Sequence, residues 1–360
     1  MRTILPTNDP DVTRELIQAM PKTDLHCHLD GSMRLSTIID LAKEQKVELP
    51  SMTEEGLAKA IHMGEICEDL VDYLVAFKYT CAVLQVDWAL ERAAYELTVD
   101  AHADGVRYIE VRFCPELHLG KGLDRNAIVE SVLSGLRRGR RELGVSSGVI
   151  ICGLRNIDAP TSLRLARLAV SFKDRGVVGF DLAGAELHHP AKDHREAFYL
   201  IRNNNMNCTL HAGEADGPDS IHEALHYCGS HRIGHGVRLV EDGSLLNYVN
   251  DRRIPIEICL KSNLQTRAVA RLEDHPLRHY YDTGLRLAIS TDNRLITDTT
   301  VTDEYLLAVD TFDFTFTELK RLVIQGFKSA FLPYRHRKDL LVEVAAKLDA
   351  MGGVPVSQVG

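Results

Sequence analysis

The sequence of 360 residues lacks several features that mark particular classes of protein. No block of lysine and arginine stands out, and the net charge is −9 with a pI of about 6.0, which argues against a polyanionic partner such as duplex DNA. No two of the eight cysteines form a CxxC pair. No apolar run approaches the roughly 18 residues that would predict a membrane span. We therefore expect neither a nucleic-acid partner nor a membrane association.

Signals for export are lacking as well. The first residues contain neither a long apolar core nor a small-residue cleavage site. Cys152, Cys208 and Cys259 lie inside apolar runs, where a free thiol behaves as a small hydrophobe. The expectation is a cytoplasmic protein with buried, reduced thiols. A hydrophobic content of 45% and a charged content of 26% are ordinary for a globular enzyme.

The sequence does contain a long alternation of strand-like and helix-like segments. Eight apolar runs predict strands, at 23–28, 106–113, 147–154, 177–183, 207–212, 231–236, 254–260 and 285–291. Asp219 and Asp242 are candidate N-caps among the helical patterns, which lie at 124–143, 160–175, 192–204, 219–228, 242–251 and 264–282. This alternation predicts the α/β class with a parallel sheet, and eight strands favour a (β/α)8 TIM barrel. No GxGxxG follows the first strand, which weakens a dinucleotide-binding alternative.

One segment departs from a minimal barrel. Residues 33–104 are too long for a single crossover and predict a helical insertion after the first strand, with helices at 35–45, 53–63, 67–85 and 87–103. Such an insertion is well placed to cover a ligand, with Tyr73, Phe77 and Met63 in a lid. Core packing within the insertion is the simpler explanation for each of the three alone. No Pro-rich or Gly-rich linker divides the chain, so we expect one domain spanning 1–360.

Histidines and a carboxylate stand at the ends of several strand-like runs. His26 and His28 close the first run, and strand alternation places both on the same face. His211 lies near the end of the fifth run, and Asp292 follows the eighth. Because catalytic groups of this barrel gather at the carboxyl ends of its strands, the four residues predict a zinc site with nitrogen and oxygen ligands.

Two further titratable residues belong to the same pattern. Glu214 lies three residues past His211, close enough to face the metal without binding it. His235, at the end of the sixth run, is a natural partner for a metal-bound water. Pairs of titratable groups beside a metal are what general acid–base chemistry requires.

The motifs that carry these residues resemble, in their order, those of a known enzyme family. They are HCHLDGS (26–32), GFDLAGAE (179–186), LHAGEADGPDSIHEAL (210–225), RIGHGVRL (232–239), SNLQT (262–266) and STDN (290–293). The resemblance is to adenosine deaminases of the zinc amidohydrolase superfamily, and it runs from about Pro21 to Tyr305. It implies hydrolytic deamination of adenosine and 2′-deoxyadenosine to inosine and 2′-deoxyinosine plus ammonia, through attack of a zinc-activated hydroxide on purine C6. The implied partner is a small-molecule purine nucleoside, and a homo-oligomer is left open.

The resemblance also implies the catalytic roles. One Zn²⁺ per chain would be bound by His26, His28, His211 and Asp292. Glu214 would be protonated and would donate to purine N1, so that negative charge does not build up in the ring. His235 would orient the water and, together with Asp292, take its proton.

Contacts with the substrate are implied in the same way. Asp30 would accept a hydrogen bond from the ribose 5′-hydroxyl. The N–H of Gly184 would contact N3, since a glycine lets the base approach the chain closely. Asn293 would donate to N7, and His28 would also face the substrate. Asp181 is expected to brace the strand ends.

Three positions depart from the family pattern. Many members carry a second Asp where this chain has Asn293, and an amide supplies the same N–H donor permanently. Ala185 replaces an acid that is common after the glycine, and Lys261 replaces a small residue. The last two lie near the barrel mouth, so they bear on which substrate is used and not on the reaction.

Other functions stay open on the sequence alone. The substrate could be adenine or another adenine nucleoside, such as an aminofutalosine-type compound. Residues 222–226 match HExxH, the helical zinc motif of metalloproteases, but they fall on an expected outer helix that points away from the barrel mouth. A zinc-binding module without enzymatic activity is a third interpretation. The HxE…PCxxC signature of cytidine-type deaminases is missing.

Overall fold

The structure is a computed structural model that describes residues 9–62 and 67–358. Eight strands lie in these segments: β1 Lys22–His28, β2 Val106–Phe113, β3 Ser146–Leu154, β4 Val177–Ala183, β5 Asn207–Ala212, β6 Arg232–His235, β7 Ile256–Ile258 and β8 Leu287–Ile289. The predicted runs match β1 to β6 to within one residue at each end. The runs predicted for β7 and β8 are two residues too long at each end, because only the three central residues of each run pair with the neighbouring strand.

The strands form one parallel sheet in the order β1-β2-β3-β4-β5-β6-β7-β8. A parallel bridge between Cys27 and Asp292 joins the two ends of this sheet. In that bridge the N–H of His28 donates to the Asp292 carbonyl at 2.8 Å, and the N–H of Asp292 donates to the His26 carbonyl at 2.7 Å. The sheet is therefore a nearly closed barrel, which confirms the predicted (β/α)8 TIM fold. The closing contact lies within the expected metal site itself.

Sixteen α-helices occur in the described segments. They are α1 Arg14–Ala19, α2 Leu35–Gln45, α3 Glu54–Ile61, α4 Leu70–Leu74, α5 Phe77–Val83, α6 Asp87–Ala103, α7 Arg125–Leu143, α8 Ala159–Ser171, α9 Arg195–Asn203, α10 Pro218–His226, α11 Gly243–Asp251, α12 Leu260–Gln265, α13 Leu277–Thr283, α14 Val301–Phe312, α15 Phe316–Ser329 and α16 Tyr334–Ala350. None of them is both long enough and apolar enough to span a bilayer.

The helices confirm most of the sequence expectations and correct three. Asp242 caps α11, since its carboxylate accepts the N–H of Ser244 at 2.9 Å. Asp219 is not an N-cap: Gly217 occupies the cap of α10 and Asp219 lies in its first turn. The single helix predicted over 264–282 is wrong. The chain leaves α12 through Arg267, which has a φ of 60°, and α13 begins only after Pro276.

The helical insertion is present and comprises α2 to α6. The helix predicted over 67–85 is two short helices, α4 and α5, and the one predicted over 53–63 is observed as α3. Buried apolar residues of the insertion join the main core. Met63 lies outside the described residues. The single-domain assignment to 1–360 stays a prediction.

The eight cysteines all lie in described segments, where each is a free thiol and seven are buried. Cys152 and Cys208 are buried residues of β3 and β5, as their apolar sequence context predicts. Strands of this barrel are buried almost throughout, which explains the near-continuous apolar runs that predict them.

Candidate active site

Four predicted metal ligands converge above the carboxyl ends of β1, β5 and β8. The Nε2 atom of His211 lies 3.0 Å from Nε2 of His26 and 3.1 Å from Nε2 of His28. The Asp292 Oδ1 atom lies 3.4 Å from Nε2 of both His26 and His28. All four residues are buried or nearly so. The structure thus brings the whole predicted set together.

The donor set fits a small four-coordinate cation. Ligands bound tetrahedrally at the Zn–N distance lie roughly 3.3 Å from one another, which is close to the separations observed. Two of the imidazoles are turned by carboxylates so that Nε2 keeps its lone pair. Nδ1 of His26 donates to Glu257 Oε2 at 2.8 Å, and Nδ1 of His211 lies 3.1 Å from Asp181 Oδ2. Carboxylate–histidine pairs of this kind are characteristic of metal sites.

His235 also stands within reach of this cluster. Its ring nitrogen forms a group with ligand atoms of His26, His211 and Asp292, all within 4.8 Å of one another. The described residues therefore present two overlapping sets of four donors, one completed by His28 and one by His235. His235 and Asp292 both have left-handed backbones, with φ of 65° and 61°. Such conformations cost about 1–3 kcal/mol each in residues other than glycine and cluster at functional sites.

A buried ionic network supports the cluster from below. Arg112 donates to both Asp181 and Glu257 at 2.9 Å, so one guanidinium holds the two carboxylates that orient His211 and His26. The pKa of the Glu257 carboxyl is held well below its usual value despite its burial, because Arg112 and Arg232 lie beside it.

Most of this network is not apparent from sequence patterns. Asp181 does more than brace strand ends, since it contacts His211 directly. Glu257, Arg112 and Arg232 have no role among the sequence predictions. The available signal was a charged residue interrupting an apolar strand, as in VRYIEVRF and IEI. Such charges are rarely buried unless they are paired.

Glu214 is buried beside the cluster without being one of the converging ligands. The Thr266 hydroxyl donates to its Oε1 at 3.0 Å, and its Oε2 lies 3.5 Å from Nε2 of His235. Burial first, and the nearby carboxylates of Asp292 and Glu186 second, raise the pKa of Glu214 well above its ordinary value. A protonated carboxyl at neutral pH is what a proton donor requires.

The loop that carries Glu214 is held by another buried carboxylate, Glu186. Glu186 accepts the backbone N–H groups of Gly213, Glu214, Ala215 and Asp216 at 2.6 to 3.0 Å. It also accepts the Ser220 hydroxyl at 2.5 Å. A single side chain therefore fixes the turn between β5 and α10. This glutamate ends the motif GFDLAGAE, and the motif alone indicates no role for it.

The short helix α12 contacts all three predicted catalytic residues. Ser262 donates to Asp292 Oδ2 at 2.6 Å, and Asn263 contacts Nδ1 of His235 at 3.0 Å. Thr266, at its C-cap, is the hydroxyl that contacts Glu214. The first N–H of α12, that of Leu260, is in turn held by the buried Glu304 at 2.7 Å. Sequence reasoning found this segment only as the motif SNLQT.

A cavity of about 320 Å³ opens above these groups, at the lower end of the range for small-molecule sites. Tyr73 and Phe77 line it, as the lid hypothesis expects. The wall includes His28, Asp30, Leu70, Leu74, Lys78, Cys81, Cys114, Leu117, Cys152, Leu154, Asn156, Ala183, Gly184, His211, Glu214, His235, Asp292 and Asn293. Every predicted metal, catalytic and substrate residue except His26 is therefore part of this wall. His26 lies fully buried beneath it.

Two of the predicted substrate residues are well suited to their positions. Asp30 is almost fully buried; its Oδ1 has no partner among the described residues, and burial raises its pKa to about 6. An unpaired buried oxygen of this kind calls for a donor from a ligand. Gly184 has a φ of 88°, and a Cβ there would lie 3.0 Å from Asn156 Oδ1. Glycine is required at that point of the wall.

Asn293 is held by a tyrosine of the insertion. Its amide nitrogen donates to the Tyr73 hydroxyl at 2.8 Å, and that hydroxyl lies 2.6 Å from Thr297 Oγ1. Its Oδ1 packs against Gly31, where a Cβ would come within 1.8 Å. One N–H of the amide is therefore used by Tyr73, and the second is left for a ligand.

The remaining sequence candidates lie away from this chemistry. His222 and His226 face solvent on α10, as expected of an outer helix, and Glu223 pairs with Lys192 at 2.9 Å. The metal-compatible group found in the described segments does not include them. Lys261 is turned toward the Asp298 carbonyl. Neither Lys261 nor Ala185 lines the cavity within the described part of the chain.

A comparison with protein-family models decides the relationship. The model described as adenosine deaminase matches residues 21–347. The chain belongs to the adenosine deaminase family. The family is one of metal-dependent amidohydrolases, and the buried histidine–aspartate cluster agrees with that. Membership supports hydrolytic deamination of adenosine, and a small-molecule purine as the substrate.

Curated relatives agree with the family assignment. A probable adenosine deaminase of Dictyostelium discoideum is 45% identical over 90% of this chain, although the match covers only 42% of that longer protein. The adenosine deaminase of Mycobacteroides abscessus is 41% identical over 91% of this chain and 95% of its own length.

Solved structures share the fold. Adenine deaminase from Arthrobacter aurescens has a TM-score of 0.86 at 26% identity and covers 92% of this chain and all of its own. Arabidopsis ADAL complexed with GMP has a TM-score of 0.82 at 26% identity, over 92% of this chain and 98% of its own.

Proposed function

We propose that this protein is a zinc enzyme, with one Zn²⁺ per chain, that hydrolyses adenosine and 2′-deoxyadenosine to the inosine nucleosides and ammonia. The proposal rests above all on one arrangement. A buried glutamate with a raised pKa stands at the wall of a purine-sized cavity, directly beside a cluster of donors that fits a four-coordinate cation.

The ligands that we assign to the zinc are the Nε2 atoms of three histidines and one carboxylate oxygen, from His26, His28, His211 and Asp292. Bound there, the ion would lower the pKa of a coordinated water from 15.7 to roughly 7 and so provide a nucleophile at neutral pH. Arg112 keeps the carboxylates that orient His26 and His211 ionised, so that both rings present a lone pair.

Residues of this chain would supply the proton that the purine takes up and would hold the base in place. Glu214, held by Thr266, would donate to N1 while oxygen adds to C6, so that charge does not accumulate in the ring. Asp292 and His235 would flank the attacking oxygen from the other side. Gly184 and Asn293 would hold the base through N3 and N7, and ammonia would leave from C6.

Asp30 supports a nucleoside as the substrate. A short carboxylate with an unpaired oxygen leaves room for a ribose and would accept its 5′-hydroxyl. Free adenine would leave that oxygen unsatisfied in a buried site. A nucleotide would place its phosphate against Asp30, and like charges repel strongly where water is excluded. Adenosine is therefore preferred over AMP and over free adenine, the base that the Arthrobacter enzyme is named for.

The test is a panel of adenine compounds scored for ammonia release by the purified zinc protein. We expect adenosine and 2′-deoxyadenosine to be turned over best, with adenine, AMP and an aminofutalosine-type nucleoside far slower. Faster turnover of adenine or of the larger nucleoside would overturn the substrate assignment. Bound zinc without turnover of any aminopurine would overturn the enzyme itself.

Two further properties stay predictions of the same proposal. A cytoplasmic location is expected from the sequence and can be checked by fractionating cells. A homo-oligomeric state would be decided by sedimentation of the purified protein.

A further inference from the structure

A chain of buried hydrogen bonds runs from a backbone amide to His235. The N–H of Leu277 lies 3.1 Å from Nδ1 of His275, and Nε2 of His275 lies 3.2 Å from Oδ1 of Asn263. The amide nitrogen of Asn263 lies 3.0 Å from Nδ1 of His235. The three side chains are nearly inaccessible to solvent, so water cannot replace any link.

The direction of every link is set by the first one. A backbone N–H can only donate, so Nδ1 of His275 must be the acceptor, and this also excludes a doubly protonated His275 ring. The proton of neutral His275 is therefore on Nε2, which donates to Asn263. Asn263 must receive it through its oxygen, and this turns its NH₂ group toward His235. Nδ1 of His235 is then an acceptor as well.

We propose that Asn263 and His275 are positioning residues that fix the tautomer of His235, so that this ring presents an Nε2–H donor to the reaction site. Nε2 of His235 is buried without a hydrogen-bond partner among the described residues, and it faces Glu214 Oε2 at 3.5 Å. This N–H is therefore available to donate a hydrogen bond to an oxygen of the substrate or of the attacking nucleophile. The inference rests on the proposed deamination for its kinetic consequence and on geometry alone for the tautomer.

The tautomer of His235 decides between the two overlapping sets of metal donors, one completed by His28 and the other by His235. A ring whose Nδ1 already accepts a hydrogen bond would have to lose both protons to bind a cation through Nε2. His26 and His211 have the opposite arrangement, since their Nδ1 atoms donate to Glu257 and Asp181. His235 is consequently a hydrogen-bond donor in this site, and His28 completes the ligand set. Of the two groups flanking the nucleophile, only Asp292 is left to accept a proton.

The direct test is ¹⁵N NMR of the zinc-loaded protein with labelled histidine. Signals of His235 are assigned as those missing from the His235→Gln variant. We expect its Nε2 to carry the proton and its Nδ1 to resonate as an unprotonated, hydrogen-bonded nitrogen. A protonated Nδ1 in the wild-type protein would overturn the proposal. The tautomer is measured on the wild-type chain, so this test requires no substitution of Asn263 or His275.

A substitution then tests whether this chain of hydrogen bonds sets the tautomer of His235. Asn263→Asp replaces the amide donor by a carboxylate, which can only accept, so the proton of His235 should move to Nδ1. We expect zinc content near one per chain, a kcat lowered by roughly 10²-fold, and a KM changed much less. Asn250→Asp is the matched control, because Asn250 lies at the far end of α11 and contacts the Thr283 carbonyl and Arg253.

The outcomes of the substitution are distinct. If the proton of His235 moves to Nδ1 in Asn263→Asp and kcat falls, the proposed role of the hydrogen-bond chain is supported. An unchanged His235 tautomer in this variant would show that Asn263 does not set the tautomer. An unchanged kcat despite a moved proton would show that the Nε2–H is not used. If the proposed deamination itself failed, wild-type activity would be absent while the NMR result would still stand or fall separately.

Discussion

The exchange Glu214→Gln offers the sharpest separation of proton transfer from binding. Glu214 is buried in the cavity wall, and its Oε1 accepts the Thr266 hydroxyl. Glutamine has nearly the same shape and retains an oxygen for Thr266 and an N–H for purine N1. It cannot release a proton to the ring. The variant should therefore fold, bind zinc and bind adenosine, and fail at the chemical step.

The size of the loss follows from the role. A positioned acid or base usually contributes about 10²–10⁴-fold to a rate. At about 1.36 kcal/mol per tenfold change, this is roughly 2.7–5.4 kcal/mol of transition-state stabilisation. We expect kcat to fall by at least about 10²-fold while KM changes little, since the amide still donates to N1 in the ground state.

The pH profile gives a second readout of the same exchange. The pKa of Glu214 is raised well above its ordinary value, chiefly by burial and then by Asp292 and Glu186, which favours the protonated form that a proton donor requires. Activity should then decline as the pH rises through that pKa, which places the loss on the alkaline side. Glutamine does not titrate, so the small residual activity of the variant should lack this alkaline decline.

The assay is steady-state ammonia release from adenosine across the acidic-to-alkaline range, with zinc measured on the same samples. Glu55→Gln, an exposed change in α3 whose partner is Lys59, is the matched control and should behave as wild type. Activity of Glu214→Gln within a few-fold of wild type would refute the proton-donor role. A full loss accompanied by loss of zinc would instead mean that Glu214 supports the metal.

Three other changes test separate parts of the molecule. His211→Ala removes one of the converging imidazoles and should abolish both zinc binding and activity, and a full zinc content in that variant would contradict the ligand assignment. Asp30→Ala should cost about 1–3 kcal/mol in kcat/KM for adenosine and much less for adenine, which has no 5′-hydroxyl to lose; equal losses would argue against the ribose contact. Buried His118 has its pKa lowered from 6.5 to about 4 by desolvation, so unfolding free energy should fall as the pH drops through that window, where only the unfolded chain takes up the proton. Urea titrations of His118→Gln should show a weaker dependence across the same window.

The strands and their terminal chemistry could be predicted from the sequence because both are local properties. Apolar runs such as VRYIEVRF define a buried strand by themselves, and a histidine or aspartate at the end of a run is visible in one dimension. The barrel then places all strand ends at one rim. Hence His26, His28, His211 and Asp292 could be grouped from the sequence alone, although they come from the first, fifth and eighth strands.

The groups that tune the site could not be found in this way. Glu257 is a lone acid in a three-residue strand, and only the barrel brings it under His26 and beside Arg112. His275 acts through Asn263, and its role depends on the backbone N–H of Leu277. The prediction of one helix over 264–282 excluded the contact between His275 and Asn263, because a continuous helix would have placed His275 away from α12. Local sequence patterns cannot predict a contact that forms only because the chain changes direction between two helices.

The site consequently consists of two groups of residues that are held in place differently. The proposed metal ligands of β1 and β5 lie at strand ends, and buried carboxylates held by Arg112 orient the rings of His26 and His211. Of the residues proposed to handle protons, Glu214 and Asp292 lie on loops and His235 ends β6. Helix α12 contacts all three of them through Thr266, Ser262 and Asn263. Of those three contacts, only that of Ser262 reaches a proposed metal ligand. Changes at Asn263 or Thr266 should therefore alter rate and pH dependence with zinc retained, whereas changes to the carboxylates beneath the histidines should weaken zinc binding first.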